Sequence, residues 1–103
     1  MTSSPRVHPE AHAELNAGAA WYDEPAVGQQ LIDAAREAVA LIVEMPSAWP
    51  PDPDWDGGEV IRRKSVKGFP YGVIYYVAEP EEEIVIVAYA HNKRRPGYWK
   101  GRI

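Results

Sequence analysis

The sequence predicts an α+β protein in which a helical hairpin packs on one face of a small, curled antiparallel sheet. Apolar residues recur at helical spacing over residues 8–45, and three short segments rich in β-branched and aromatic residues follow from residue 59 onward. The predicted element order is therefore (β)-α-α-β-β-β. A chain of 103 residues with 46% apolar residues is the size of a single domain, residues 1–103, with one modest core.

The first helix is predicted over His8–Tyr22. Pro9 suits the first helical position, and Gly18 indicates a close approach of a neighbouring element. The apolar face is formed by residues at helical spacing: Ala11, Leu15, Ala19 and Tyr22.

The second helix is the clearest element of the sequence. It is expected to start at Pro25, with Asp23 and Glu24 near its positive end, and to stop at Pro46. One apolar stripe runs along it, made of Val27, Leu31, Ala35, Ala38, Ile42 and Met45. The short turn before it predicts an antiparallel hairpin with the first helix.

Residues 46–58 contain four prolines and two glycines and are predicted to form a loop. Trp49 and Trp55 interrupt this loop. Such aromatic residues commonly fix a loop to the core, although an exposed tryptophan would indicate a contact with a partner.

Three strands are predicted after the loop, at Glu59–Lys67, Tyr71–Ala78 and Ile84–Ala90. The last of these is almost wholly apolar, as expected of a central strand buried on both faces. Short breaks between them predict an antiparallel meander, and the acidic turn Glu79–Glu83 is interpreted as a solvated loop. Pro5–His8 is just long enough to add a fourth strand at one edge.

Composition excludes several classes of protein. The absence of cysteine excludes disulfides and thiolate metal sites. No apolar run approaches the roughly 20 residues that cross a bilayer, and Met1–Pro9 lacks the apolar region of a secretory signal, so a soluble, cytoplasmic protein is expected. His8 and His12 have a spacing that could bind a metal, but no third ligand is evident, and no metal or other cofactor is expected.

Charge is distributed unevenly along the chain. Residues 1–58 carry two basic and ten acidic residues, a net charge of −8, whereas residues 59–103 carry nine basic and five acidic residues, a net charge of +4. One interpretation is a face built to meet an anion or an acidic partner. The other is a set of solvated helical carboxylates with Lys and Arg protecting strand edges.

Three groups of residues, taken in order, resemble the RelE/ParE toxin superfamily, and in particular its plasmid-stabilisation branch. They are Glu14 with Trp21-Tyr22, then Ile61-Arg62-Arg63 with Phe69-Pro70-Tyr71 and Val73–Tyr76, and finally Ala88–His91 with Arg94–Trp99. The resemblance covers residues 7–99. It implies the toxin of a type II toxin–antitoxin pair, held inactive in a hetero-oligomer by a cognate antitoxin whose flexible segment wraps the toxin. This chain departs from the pattern in its short first strand after Met1–Pro5.

The superfamily contains two activities, and fold alone does not separate them. RelE-like members cleave mRNA on the ribosome, which requires a base, an acid and fixed cations around the phosphate. The candidates for that chemistry are Arg62, Arg63, His91 and Arg94. Arg62 and Lys64 are expected on one sheet face and Arg63 on the other, and His91 is as readily interpreted as a hydrogen-bonded residue at a strand end.

ParE-like members arrest growth by inhibiting DNA gyrase without known catalysis, and the net charge of −4 favours this activity because ribosomal phosphates would repel an acidic protein. The predicted contact surface for the target or the antitoxin comprises Arg62, Arg63, Lys64, Lys93, Arg94, Arg95, Tyr98 and Trp99. The two aromatic residues could instead fill an edge of the core. A ribosome-dependent mRNA endonuclease and an inactive, antitoxin-binding relative remain the alternatives.

Overall fold

The computed structural model describes residues 4–103, so Met1–Ser3, the beginning of the segment before the predicted first strand, lies outside the described residues. Along the chain the elements are strand β1 (Arg6–Val7), helix α1 (Pro9–Trp21), helix α2 (Pro25–Glu44), strands β2 (Arg62–Ser65), β3 (Tyr71–Ala78) and β4 (Glu83–His91), and a C-terminal 3-10 turn (Lys100–Arg102). This order confirms the predicted α+β class. Within the described part of the chain, neither helix combines the length and apolarity needed to cross a bilayer.

α1 begins at the predicted position because His8 caps it. The His8 Nδ1 atom accepts a hydrogen bond of 3.1 Å from the Glu10 N–H, which satisfies one of the free donors of the first helical turn. Pro9 follows in the first turn, where a missing N–H has no cost. The two histidines therefore differ in their environment: His8 caps α1, and His12 is exposed on the helix.

The helices pack closely at two glycines. A Cβ atom at Gly18 would lie 2.5 Å from the Tyr71 hydroxyl oxygen and 3.3 Å from Leu31 Cδ2. A Cβ atom at Gly28 would collide with the backbone carbonyl of Ala19 on the facing helix. The prediction that Gly18 marks a close approach is therefore confirmed.

The four strands form one sheet in the order β1-β4-β3-β2. β2, β3 and β4 are the predicted antiparallel meander, whereas β1 pairs in parallel with β4 through Arg6↔Val85 and Val7↔Ile86. The sheet is therefore mixed, and the expectation of a wholly antiparallel sheet is wrong at β1. A short alternating segment predicts a strand but not its direction, which depends on the path of the chain through both helices and the long loop.

β2 is shorter at both ends than the predicted Glu59–Lys67. At its start the loop folds against it, since the Asp52 N–H donates to the Ile61 carbonyl at 2.7 Å and the Arg63 N–H donates to the Pro50 carbonyl at 3.1 Å. At its end Gly68 adopts a φ of 83°, a conformation that favours glycine, and turns the chain into β3.

A bulge in β4 changes which of its side chains face the helices and which face the opposite side of the sheet. Ile74 pairs with Ala88 and Tyr75 with Ile86, so Val87 is an extra residue in β4. As a result Val87 and Ala88 both face away from the helices, while Ile86 and Tyr89 face them. The prediction that this strand is buried on both faces is confirmed.

A tryptophan of the long loop packs against the core on each face of the sheet. The first core lies beneath the helices, and the second core lies on the opposite face. Trp49 packs against the first core. Trp55 packs against the second, with its ring 5.9 Å from that of Trp99, and its Nε1 donates to the Glu59 carbonyl at 2.6 Å. The interpretation of both loop tryptophans as core contacts is confirmed.

Candidate functional site

The pleat of β2 divides the predicted basic residues between the two faces of the sheet. Arg62 pairs with Tyr75 and Lys64 with Val73, both of which belong to the core beneath the helices. Arg63 lies between them and faces the other way, where its guanidinium covers Gly72. The expected opposition of Arg63 to Arg62 and Lys64 is therefore observed.

Arg62 and Lys64 are both engaged with the long loop. The Arg62 Nη1 donates to the Trp49 carbonyl at 2.7 Å, and the Lys64 ammonium lies 4.3 Å from the centre of the Trp49 ring. Lys64 Nζ also donates to the Ser65 carbonyl at 3.3 Å. These contacts fasten the loop to the edge strand, which gives both cations a structural use.

Arg63 instead belongs to a cleft at the end of β4. Its Nη2 donates to the Asn92 side-chain oxygen at 2.6 Å, which fixes the guanidinium beside the turn that follows β4. The cleft has a volume of about 320 Å³ and we call it the basic cleft, after the residues that give its character: Arg63, His91, Asn92, Arg94 and Arg95. Asp52 and Asp54 also line the cleft, so an incoming anion would meet carboxylates as well as arginines.

His91 has a local structural partner on each side. Its Nδ1 accepts a hydrogen bond of 3.0 Å from the Lys93 N–H, and its ring lies edge-on to that of Tyr71 at 5.0 Å. The Nδ1 lone pair is thus occupied, which leaves Nε2 as the remaining ring nitrogen.

Tyr98 supports one wall of the basic cleft. The Arg94 guanidinium lies 4.0 Å from the centre of its ring, and its hydroxyl donates a hydrogen bond to Glu14 Oε2. Burial, followed by the hydrogen bond and charge of Glu14, raises the pKa of Tyr98, against the opposing effect of Arg102 and Arg94. Glu14 therefore holds Tyr98 through its hydroxyl, and the face of the Tyr98 ring supports the Arg94 guanidinium.

Glu14 and Arg102 together close the edge of β4 beyond β1. Arg102 Nη1 donates to the Val87 carbonyl at 3.1 Å and to Glu14 Oε1 at 2.8 Å, while the Tyr89 N–H donates to Glu14 Oε1 at 3.2 Å. Both side chains are largely buried, with exposed fractions of 14% for Glu14 and 12% for Arg102. The pair satisfies backbone groups that a further strand would otherwise satisfy, and so protects this edge from pairing with another chain.

Trp99 is buried rather than exposed as a stacking surface. It is 2% exposed and fills the second core beside Ile61 and Ala90. Its expected role as a stacking surface is therefore wrong, and its alternative role as a filler of the core edge is confirmed. The cause is the turn at Gly97, whose φ of 72° folds the tail back over the sheet.

A second depression lies beside the basic cleft, between α1 and the end of β4. It has a volume of about 520 Å³, and we call it the aromatic groove because Trp21, Tyr71, Tyr89 and Tyr98 line it. His91, the cations Lys93 and Arg94, and Gly18 also line it. Arg94 and Tyr98 thus separate two neighbouring depressions.

The structure brings together three of the four residues proposed for nuclease chemistry. Arg63, His91 and Arg94 line the basic cleft, whereas Arg62 is tied to the loop and lies outside it. Among the predicted contact residues, the exposed cations are Lys93, Arg94 and Arg95, which follow one another in the turn after β4. Such a cluster can recognise an acidic surface.

The helical hairpin on a four-stranded mixed sheet, with cations gathered after the last strand, defines a RelE/ParE-type toxin. Residues 6–96 match the family described as the ParE toxin of the type II toxin–antitoxin system parDE, and the chain belongs to that family. A search of curated proteins found no match. Membership in a family of toxin–antitoxin toxins implies an antitoxin partner.

The structural roles of three residues around the site were not predicted from the sequence. Glu14 did carry a signal, since a carboxylate between Ala11 and Gly18 falls on the buried side of α1 and requires a partner there. Asn92 and Arg102 carried no such signal, because their partners lie 29 and 88 positions away in the chain.

Proposed function

We propose that this toxin arrests growth by binding DNA gyrase through the basic cleft and the exposed turn beside it, and that a cognate antitoxin neutralises it by direct binding. The contact residues in this proposal are Arg63, Lys93, Arg94 and Arg95. No residue is assigned a catalytic role.

The observation that carries the proposal is the composition of the basic cleft. Arg63, Arg94 and Arg95 line it together with Asp52 and Asp54. Mixed charge of this kind suits a protein partner with its own mixed charge, whereas a nucleic-acid backbone presents only phosphates and would be repelled by the two carboxylates. The net charge of −4 acts in the same direction.

The arrangement of potential acid and base groups also supports binding rather than cleavage. His91 Nδ1 already accepts a hydrogen bond from the Lys93 N–H, and the Tyr98 hydroxyl already donates to Glu14. Arg62, the first arginine of the nuclease set, donates to the Trp49 carbonyl and lies outside the basic cleft.

The test is a supercoiling assay in which purified gyrase, relaxed plasmid and ATP are titrated with the toxin. Wild type is expected to inhibit supercoiling. The triple variant Arg63→Ala/Arg94→Ala/Arg95→Ala should need at least about 30-fold more protein for half inhibition, the effect of losing one strong interface contact. The control is Arg6→Ala/Arg36→Ala, which removes two exposed arginines on β1 and α2.

A parallel assay with ribosomes and a short mRNA separates the two activities. Cleavage of mRNA by wild type, with supercoiling unaffected, would replace the gyrase proposal by the endonuclease alternative. If a folded wild-type protein affects neither reaction and does not arrest growth, the chain is an inactive relative.

A further inference from the structure

Arg63 is held in one orientation by Asn92, a residue that the proposed contact with gyrase leaves without a role. Arg63 Nη2 donates to the Asn92 side-chain oxygen at 2.6 Å. The Asn92 N–H in turn donates to the Pro70 carbonyl at 2.8 Å, which ties the turn after β4 to the start of β3. Because the backbone of Asn92 is fixed in this way, its side chain offers Arg63 an acceptor at a fixed place in the basic cleft.

The Arg63 side chain reaches Asn92 across a part of the sheet that carries no side chain. Arg63 pairs with Ile74 in β3, and Gly72 is the next residue on the same face of β3. A Cβ atom at Gly72 would lie 2.5 Å from Arg63 Nε and 2.6 Å from Arg63 Cζ. The guanidinium therefore occupies the space that a side chain at position 72 would fill, and any residue other than glycine would displace it.

The positive charge of Arg63 is not used within the protein. Among residues 4–103 the ion pairs involve Arg6 and Arg102, and Arg63 forms none. Asp52 and Asp54 line the same cleft, but Asp52 is 6% exposed and its Oδ1 accepts a hydrogen bond of 2.8 Å from the Asp54 N–H. Arg63 is thus oriented by a neutral amide, which leaves its charge available to a partner.

The chemistry of this site favours a carboxylate as the group that Arg63 receives. A guanidinium is a planar fork of N–H donors, and it binds the two oxygens of a carboxylate through parallel hydrogen bonds. A fork that is already oriented loses less conformational entropy on binding than a free arginine side chain does. The two aspartates of the cleft would oppose a chain of phosphates more strongly than one carboxylate of a protein.

We propose that Asn92 is a positioning residue, which holds the Arg63 guanidinium over Gly72 so that it receives an aspartate or glutamate side chain of the gyrase protein. This inference rests on the proposed binding of gyrase. Arg94, whose guanidinium lies 4.0 Å from the centre of the Tyr98 ring, lines the same cleft and adds to the positive charge that attracts this carboxylate.

The test is the supercoiling assay with full-length toxin variants that release or displace Arg63 without removing it. Asn92→Ala deletes the acceptor, and Gly72→Ala places a methyl group where the guanidinium lies. Each should raise the toxin concentration for half inhibition by about fivefold to tenfold, the effect of losing the order of one long side chain. Asn16→Ala, the same change at an exposed position of α1 outside the basic cleft, is the matched control and should inhibit as wild type does.

Both variants are expected to fold. Asn92 is exposed, and the three heavy atoms nearest to a methyl group at Gly72 all belong to the flexible end of the Arg63 side chain. Urea unfolding would verify that the two variants are as stable as Asn16→Ala.

Repeating both substitutions in an Arg63→Ala background separates a positioning role from a structural one. Arg63→Ala should retain measurable inhibition through the exposed cations of the turn after β4. If Asn92 and Gly72 act through Arg63, neither substitution should weaken inhibition further by more than about twofold in this background. Losses of equal size in the two backgrounds would overturn the positioning role.

Two measurements test the carboxylate. Arg63→Lys keeps the charge but lacks the planar fork, and it should inhibit about tenfold less well than wild type; full inhibition by Arg63→Lys would overturn recognition by the fork. The labelled toxin should also bind gyrase in the absence of DNA, as followed by fluorescence anisotropy, and Asn92→Ala should weaken that binding. An effect of Asn92→Ala that is seen only when DNA is present would identify the ligand as a phosphate and overturn the carboxylate.

The outcome for wild type distinguishes a failure of this inference from a failure of the proposed function. A folded wild-type toxin that does not inhibit gyrase overturns the proposed function and, with it, this inference. Inhibition by wild type that is unchanged in both Asn92→Ala and Gly72→Ala overturns only the role of Asn92.

Discussion

Glu14 and Arg102 lie 88 positions apart in the sequence and form a two-pronged ion pair, with Nη1–Oε1 and Nη2–Oε2 distances of 2.8 and 3.2 Å. The pair joins the first helix to the C-terminal turn and, through Tyr89 and Val87, ends the hydrogen bonding of β4. The Glu14 hydrogen bond is also the largest cause that raises the pKa of Arg102, so the pair favours the charged guanidinium.

Glu14→Ala is therefore expected to lower the free energy of unfolding by about 3 kcal/mol, because it removes the buried carboxylate that neutralises Arg102 and leaves the Tyr98 hydroxyl without its acceptor. The measurement is urea unfolding followed by circular dichroism. Glu10→Ala is the control, since Glu10 also contacts Arg102, at 3.1 Å, but is 66% exposed and should matter by less than about 1 kcal/mol. Equal losses in the two variants would show that the buried pair has no special weight.

Titration of Tyr75 should make the stability of the protein depend on pH in the alkaline range. Its hydroxyl donates to the Pro46 carbonyl at 2.5 Å, and burial raises its pKa to about 12, with Arg62 acting in the opposite direction. Because the folded state holds this proton more tightly than the unfolded state, the stability that Tyr75 contributes is complete below its ordinary pKa of about 10 and is lost as the pH rises through about 12.

Urea unfolding of wild type and Tyr75→Phe at pH 8, 10 and 11.5 would check this dependence. Tyr75→Phe should be less stable by about 1 kcal/mol at pH 8, the worth of one hydrogen bond, and the difference should shrink at pH 11.5. Tyr71, Tyr89 and Tyr98 titrate in both proteins, so their contribution cancels in the comparison. A difference that stays constant with pH would contradict the raised pKa.

Gly28→Ala is expected to destabilise the protein even though it improves helix propensity by about 1 kcal/mol. The new methyl group would overlap the Ala19 carbonyl and force the helices apart, at a net cost of about 1–3 kcal/mol. Thermal unfolding would measure it. Gln30→Ala, at an exposed position of the same helix, should change stability by no more than about 0.5 kcal/mol. A higher melting temperature for Gly28→Ala would mean that the two helices can separate at little cost.

Trp99→Ala should cost about 3–5 kcal/mol, because the side chain is 2% exposed and its removal leaves a cavity beside Trp55. Trp21→Ala is the natural comparison, as it removes the same side chain from a position that is 79% exposed and should cost less than about 1 kcal/mol. Chemical unfolding monitored by circular dichroism suits both variants. A Trp99→Ala protein as stable as wild type would return Trp99 to the list of surface contacts.

Periodicity in the sequence was sufficient to predict both helices and the meander. Residues Leu31, Ala35, Ala38 and Ile42 are buried at the spacing that one helical face requires. Gly18 was predictable because a glycine inside a helix needs a reason, and the reason is the approach of Tyr71. The opposition of Arg62 and Arg63 follows from the alternation of side chains along a strand.

What the sequence did not predict depends on contacts between distant segments. The bulge at Val87 breaks the alternation of β4, and nothing in a run of apolar residues marks its position. The alternation of side chains along β2 places Arg62 and Arg63 on opposite faces of the sheet. Which of the two lies near the turn after β4 could not be predicted, because it depends on the registers of β2 with β3 and of β3 with β4. The same holds for Trp99, whose burial is decided by how the tail folds.

The parallel pairing of β1 with β4 has a consequence for synthesis. Arg6 and Val7 find their strand partners only after Val85 and Ile86 have left the ribosome, and Glu14 finds Arg102 later still. Until then the hairpin has no completed sheet to pack on, and the cations after β4 have no fixed positions. A nascent chain thus completes the edge of its sheet and the turn after β4 last.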